Sequence, residues 1–320
     1  MANQLSKIFI KGIKLLVCIV ILDLGIGFLL ETVLYNQKTG KFSRIIHSLE
    51  RTNAELLVLG SSHAVRHYVP EVMEKELKWS CYNAGVRGQR LVFHTALQEI
   101  ILSRYTPKTI ILNIDHNWLY YNAESYERLN ELNPFYSKYP EQIKEVVSLK
   151  SEIEPFKLYS KLYQYNSTVL HVLNYAIREQ KDFKGYMPLK GSKVTEKDLS
   201  SDNAVGNSRD KVIDEQFVNA LKTFIKRCKE KSIQLLFVVS PSIKPAAAND
   251  QSFSTINTIA KEHQIPVWNF ESHPEFFQKP ELFYDTSHLN HTGAKIFSAL
   301  IARELAETKQ FMLVSDNSTR

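Results

Sequence analysis

A serine becomes a nucleophile when a histidine takes its proton and a carboxylate fixes the histidine's tautomer. Residues of those types stand at two places in this chain. The first is Gly60-Ser61-Ser62-His63, where Gly60 permits a sharp turn and a serine at the start of a loop presents its hydroxyl and its backbone amide together. Serines at such places are most often helix caps or turn formers. The second is Tyr284-Asp285-Thr286-Ser287-His288-Leu289-Asn290-His291-Thr292-Gly293. Residues three apart in a turn face each other, so Asp285 can accept a hydrogen bond from one imidazole nitrogen of His288 and leave the other as a base. Asp-x-x-His also arises readily by chance. A metal reading of Asp285, His288 and His291 stands beside it, but no further carboxylate or histidine cluster completes it. Cys18, Cys81 and Cys228 lie too far apart for metal-ligand spacing, and an odd number excludes a fully paired disulfide framework.

A scaffold has to bring these segments together, and the hydrophobic pattern supplies one. Glu55 to Gly60 reads as a buried strand delivering its last residues into a loop, followed by a helix from Pro70 to about Leu77. A second strand spans Trp79 to Asn83 and closes at Ala84-Gly85. A helix over Gln89 to Arg104 leads to a third strand, Thr109 to Asp115. A matching set returns later: a helix from about Val212 to Lys229, the strand Gln234 to Val239, a helix near Ser254 to His263, the strand Val267 to Phe270, and a last helix from about Thr292 to Ala306. Strands separated by helices imply an α/β fold, a three-layer α/β/α domain on a mostly parallel sheet. Ligands of such sheets bind beyond the carboxyl ends of the strands, where Ser62 falls.

Between Asn117 and about Lys211 this rhythm stops. The segment is rich in Tyr and Lys, carries Pro134, Pro140, Pro155 and Pro188, and ends in the polar stretch Gly191 to Arg209. It reads as a partly helical insertion, about residues 118–211, lying over the strand ends. Its tyrosines (among them Tyr120, Tyr121, Tyr126, Tyr136, Tyr139, Tyr159, Tyr163 and Tyr165) suit either stacking on sugar rings or packing against the main domain, the commoner use. No internal repeat is present.

The N-terminus adds a membrane element. Leu15 to Leu30, with flanking Ile13, Val33 and Leu34, is about as long and apolar as a bilayer-spanning helix. Lys7, Lys11 and Lys14 also fit the positive region of a signal peptide, but no Ala-x-Ala pattern follows, so residues 1–35 are expected to stay as an anchor. Asp23 is costly within lipid; it faces a partner helix or marks a span displaced toward one interface. Basic residues on both sides, including Lys38, Lys41 and Arg44, leave orientation undecided by charge. The short N-terminal segment favours a domain, residues 50–320, outside the cytoplasmic membrane. There Cys81 and Cys228 are able to pair.

Composition narrows the class further. The 320 residues are 44% hydrophobic and 23% charged, which excludes disordered, collagen-like and disulfide-stapled chains. A net charge of +6 is spread along the chain, not gathered into one block, so a nucleic-acid partner is not expected.

Taken together, these features resemble the SGNH hydrolases, the GDSL esterase superfamily. Gly60-Ser61-Ser62 matches the first block and Asp285-x-x-His288, just before the last helix, matches the final one. Asn83-Ala84-Gly85 after the second strand and Ile111-Leu112-Asn113-Ile114-Asp115-His116-Asn117 supply two more. The resemblance covers residues 55–117 and 212–306. It implies a flavodoxin-like sheet, Ser62 as nucleophile, His288 as base and Asp285 as its orienting carboxylate. Oxyanion donors would be the amides of Ser62 and Gly85 and the side chain of Asn117. It implies no cofactor and no metal. Two positions depart from the family: Ser61 replaces the Asp of Gly-Asp-Ser, and Asp115 replaces a common glycine. His63, beside the nucleophile, is a residue that can crowd the site. The anchor and insertion look like the membrane-anchored subgroup that resembles alginate O-acetyltransferases and the D-alanyl transfer protein of teichoic acid synthesis. The implied activity is that of a serine esterase or O-acyltransferase on acyl, chiefly acetyl, esters of a cell-envelope carbohydrate, with a membrane-bound acyltransferase as partner. The alternative is an inactive domain that binds glycan or a membrane partner.

Overall fold

The computed structural model describes residues 2–196, 198, 211–243 and 250–318. Five strands form one parallel sheet: β1 Leu56–Gly60, β2 Cys81–Asn83, β3 Thr109–Asn113, β4 Gln234–Val239 and β5 Val267–Asn269, in the order β2-β1-β3-β4-β5. That is the flavodoxin-like order, in which winding reverses between β1 and β3 and opens a crevice at their carboxyl ends.

The strands are continuous apolar bursts because both faces are covered. Leu56, Val58, Ile111, Leu236 and Val238 share one core cluster with Ala64, Tyr68 and Met73 and with Phe297, Ile301 and Leu305. Those partners come from α3 Ser62–His67, α4 Pro70–Leu77 and the last helix, His291–Ser318. Alternate residues Leu57, Leu59, Ile110, Leu112, Leu235 and Phe237 are buried on the opposite face. There α5 Leu91–Arg104 packs on β1 and on α10 Glu215–Glu230, which packs on β4. The three-layer α/β/α architecture is therefore present.

Boundaries shift where caps act. α10 starts after Val212 because Asp214 accepts from the Gln216 amide at 2.9 Å, and α11 Gln251–Glu262 starts before Ser254 because Asp250 accepts from the Phe253 amide at 3.0 Å. The last helix, α12, runs on past Ala306 to Ser318, since neither Gly nor Pro interrupts it after Gly293.

The chain divides into two compact units, Met1–Ser43 with Tyr126–Gln180, and Arg44–Ser125 with Lys181–Arg320. The first contains α1 Ala2–Tyr35, long and apolar enough to cross a membrane, with α7 Pro140–Ser148, α8 Glu154–Lys157 and α9 Val169–Ile177. Of the tyrosines singled out above, Tyr120, Tyr136 and Tyr165 are buried, whereas Tyr121 and Tyr159 are exposed. The second unit holds the sheet. Residues 197 and 199–209 of the polar stretch lie outside the described residues. Cys81 and Cys228 are buried free thiols, and Cys18 is exposed on α1.

Candidate active site

β1 ends at Gly60 with φ +142°, a backbone setting that favours glycine, and a Cβ there would stand 2.7 Å from the Asn113 carbonyl oxygen on β3. The turn that follows puts Ser62 at the start of α3, beside the crevice. Ser62 Oγ lies 2.9 Å from His288 Nε2, and His288 Nδ1 lies 2.9 and 3.1 Å from the two oxygens of Asp285. A carboxylate only accepts, so Nδ1 carries the ring proton, and Nε2 of the neutral ring accepts from the Ser62 hydroxyl. The structure thus brings Ser62, His288 and Asp285 into one relay.

The turn carrying His288 is tied on several sides. Asp285 Oδ1 also accepts the amides of Ser287 (3.0 Å) and His288 (2.9 Å), and Tyr284 N–H donates to the His288 carbonyl at 2.8 Å. Asn290 Oδ1 accepts the Gly293 amide at 3.0 Å and so fixes the entry to α12. Below the relay, His67 is fully buried and its Nε2 accepts the Leu289 amide at 3.0 Å, which locks this turn to α3. Burial, with the nearby charges of His63 and His288, holds the His67 pKa well below the ordinary histidine value, so it stays a neutral acceptor.

Ser61 and Asp115 meet in a second cluster. Asp115, just past β3, accepts from His63 Nδ1 (2.6 Å), the Trp118 indole (3.0 Å) and the Ser61 hydroxyl (3.2 Å). Burial works against the Asp115 carboxylate, but the charge of His63 and these hydrogen bonds outweigh it and lower its pKa. Burial likewise opposes the His63 imidazolium, and Asp115 more than offsets it, so the His63 pKa is raised. The His63 ring centre is 5.1 Å from that of His288. His63 is turned to Asp115 and does not come between Ser62 and His288. For His288 itself, burial and the positive charge of His63 prevail over the attraction of Asp285, and its pKa is lowered from the ordinary value.

The expected oxyanion donors are less aligned. The Gly85 amide donates to Asn83 Oδ1 at 3.1 Å, so an oxyanion would have to share it. Asn83 in turn donates to the carbonyls of Ala64 (2.6 Å) and Tyr68 (2.9 Å), fastening α3 to β2. Asn117 is exposed, and its carbonyl accepts from Arg90 at 3.0 Å; no contact draws its side chain to Ser62. Asn113, passed over in the block that pointed to Asn117, is fully buried at the end of β3 and donates to Val238 O, Ser240 Oγ and Tyr68 Oη at 2.9, 2.8 and 3.1 Å.

His291 Nδ1 meets the Tyr186 hydroxyl at 2.9 Å, away from Asp285 and His288. Among the described residues no group of three metal-binding side chains converges. The end of the insertion returns to the site: Arg66 donates to the Met187 carbonyl at 2.8 Å, and the Lys193 ammonium lies 5.0 Å over the Tyr284 ring, next to Asp285.

Sequence reasoning missed His67, and it named Asn83, His63 and Asp115 without their contacts. Only one signal for them was local, the four-residue spacing of His63 and His67, which places both on one face of α3.

No family model and no curated sequence matches this chain. Among solved structures it is similar to a protein described as lipolytic, of the G-D-S-L family, from Desulfitobacterium hafniense DCB-2. Identity is 11% and the TM-score 0.39, over 78% of this chain and 97% of that one. It is also similar to the acetyl xylan esterase AlAXEase, at 12% identity and a TM-score of 0.37, over 79% of this chain and 98% of that one. Both overlaps are loose, and the chemistry of the site stands on its own distances.

Proposed function

We propose that this chain is a membrane-anchored serine esterase or O-acyltransferase of the SGNH type, acting on acyl esters of a cell-envelope carbohydrate. The observation that carries the reading is the Ser62–His288–Asp285 relay, with 2.9 Å at each step, at the reversal point of the sheet. Ser62 Oγ attacks the ester carbonyl as His288 Nε2 takes its proton, and Asp285 stabilises the imidazolium that forms. The Ser62 amide and the Gly85 amide, drawn from Asn83, meet the oxyanion, and exposed Asn117 would have to turn toward Ser62 to add a third donor; one such donor is worth about 3 kcal/mol in comparable enzymes. Loss of the alcohol, protonated by His288, leaves an acyl-Ser62 ester. Water or a sugar hydroxyl, deprotonated by His288, then resolves it and restores the serine.

The apolar N-terminal helix supports anchoring, with the domain outside the cytoplasmic membrane. Anchoring holds the site near membrane-delivered donors and nascent glycan, which raises their effective concentration and favours transfer. The test is to give the purified protein an activated acetyl ester with and without an envelope oligosaccharide, and to measure acetate release beside the mass of the sugar. Transfer predicts slow release to water and acetylated sugar. Fast hydrolysis that no sugar diverts leaves an anchored esterase, and no turnover of any ester removes the enzyme reading.

A further inference from the structure

Exposure along α1 changes at Asp23. Residues 4–22 are exposed on every face of the helix. From there one stripe is covered: Asp23 is half-buried, and Gly27, Leu30 and Leu34 are buried, at spacings of four, three and four. The cover comes from the insertion within the same compact unit. Asp23 accepts from the Ser160 hydroxyl (2.5 Å), the Lys161 amide (2.8 Å) and the Leu162 amide (3.1 Å). A Cβ at Gly27 would overlap the Lys161 side chain, and the Lys161 ammonium bridges Glu31 (2.9 Å) and Ser137 (2.6 Å). Asp23 is therefore a satisfied acceptor, not a stray charge, and its partner is a segment of this chain.

Helix rise sets the depth of that junction. With Lys14 at one interface, nine residues place Asp23 about 13 Å into the bilayer, and twenty residues place Leu34 at about 30 Å, the hydrocarbon thickness. If Lys14 snorkels by one helical turn, Asp23 moves to about 19 Å, which is still within hydrocarbon. The segment bonded to Asp23 has to share that depth. Its free side suits lipid: Ile153 is 62% exposed, Phe156 70% and Tyr159 73%. In water such a concentration of large apolar side chains marks an interaction surface. The cations along the segment are paired, Lys157 with Glu154 at 2.7 Å and Lys161 with Glu31, as an apolar setting requires.

We propose that residues 153–162 lie in the bilayer beside α1, from its middle toward the helix's C-terminal end, with Ile153, Phe156 and Tyr159 facing lipid; α9 lies beyond that depth, since Gln37, past Leu34, donates to the Val172 carbonyl at 2.7 Å. The membrane contact is then a helix plus an immersed side element, held together at Asp23. This rests on reading α1 as a span, and the experiment separates the two. Leu16→Trp, Ile153→Trp and Phe156→Trp, all at exposed positions, are placed singly in the full chain, which is reconstituted into phosphatidylcholine–phosphatidylglycerol vesicles with brominated acyl chains. The emission added over that of native Trp79, Trp118 and Trp268 is compared with that in unbrominated vesicles. Loss of the added emission in all three variants is the expected result. Loss for Leu16→Trp alone overturns the immersed element and leaves the span. If the protein also dimerises in detergent, a second copy covers the face instead. No loss for Leu16→Trp overturns the span and the proposal with it.

Discussion

Asp285→Asn separates two jobs of one carboxylate. Oδ1 holds the turn through the amides of Ser287 and His288 at 3.0 and 2.9 Å, and both oxygens face His288 Nδ1 at 2.9 and 3.1 Å. An asparagine oxygen in the Oδ1 position keeps the two main-chain bonds. The opposite flip would set a nitrogen against two donors, at about 1–3 kcal/mol for each bond left unmade, so the first arrangement wins. The amide nitrogen then occupies the Oδ2 position, and as a donor it can meet only an unprotonated Nδ1. Because Oδ1 already accepts two amides, the donor at the Oδ2 position favours the tautomer with the ring proton on Nε2, which points a donor at Ser62 and cannot take its proton. In a triad this wrong tautomer costs about 10⁴ in kcat, or about 5.5 kcal/mol. Folding changes little: the turn is kept, and Asp285 is 41% exposed, which limits the lost ion pair to about 1 kcal/mol or less. Asp285→Ala, which loses the turn bonds as well, should show the same rate loss with a lower melting temperature. The assay is hydrolysis of p-nitrophenyl acetate beside a thermal melt. An Asn variant that melts like the parent and turns over within about tenfold of its rate, a difference of only about 1.4 kcal/mol, would refute Asp285 as the orienting carboxylate.

The remaining predictions use the same ester assay or unfolding. Ser62→Ala should abolish turnover, whereas Ser61→Ala, whose hydroxyl meets Asp115 at 3.2 Å, should keep most of it; the reverse outcome would move the nucleophile to Ser61. With the His288 pKa held below its ordinary value, kcat/KM should stay high above that pKa and fall as pH drops through it. Asp115→Asn leaves buried His63 neutral and removes its repulsion, so the acid limb should move to higher pH; an unmoved limb means His63 does not act on His288. Asn113→Ala strands the Tyr68 and Ser240 hydroxyls and the Val238 carbonyl and should cost about 3 kcal/mol in urea unfolding, while a loss under about 1 kcal/mol would mean that water replaces the amide.

The parts of the fold legible in the sequence are those written locally. β1, β3 and β4 are continuous apolar runs because helices cover both their faces, and helices announce themselves between them. Asp285 and His288 are three residues apart, so their pairing is also a local matter. What joins distant positions is not legible. Asp115 reaches His63 across 52 residues and His67 reaches Leu289 across 222, because β1 lies between β2 and β3 in the sheet, an order that no stretch of sequence records. Asp115 stood out in the sequence only as a departure, and its meaning needed the partner. Asp23 repeats the lesson: the helix alone shows a misplaced charge, and Ser160 to Leu162, 137 to 139 residues on, show its use.

The central claim is that His288 activates Ser62, and covalent labelling tests it most directly. The purified protein is treated with a fluorophosphonate, digested, and the adduct located by tandem mass spectrometry, with His288→Ala run in parallel. An adduct on Ser62 that disappears in His288→Ala is the predicted result. No adduct, an adduct on Ser61, or labelling of Ser62 that survives loss of His288 would contradict the account.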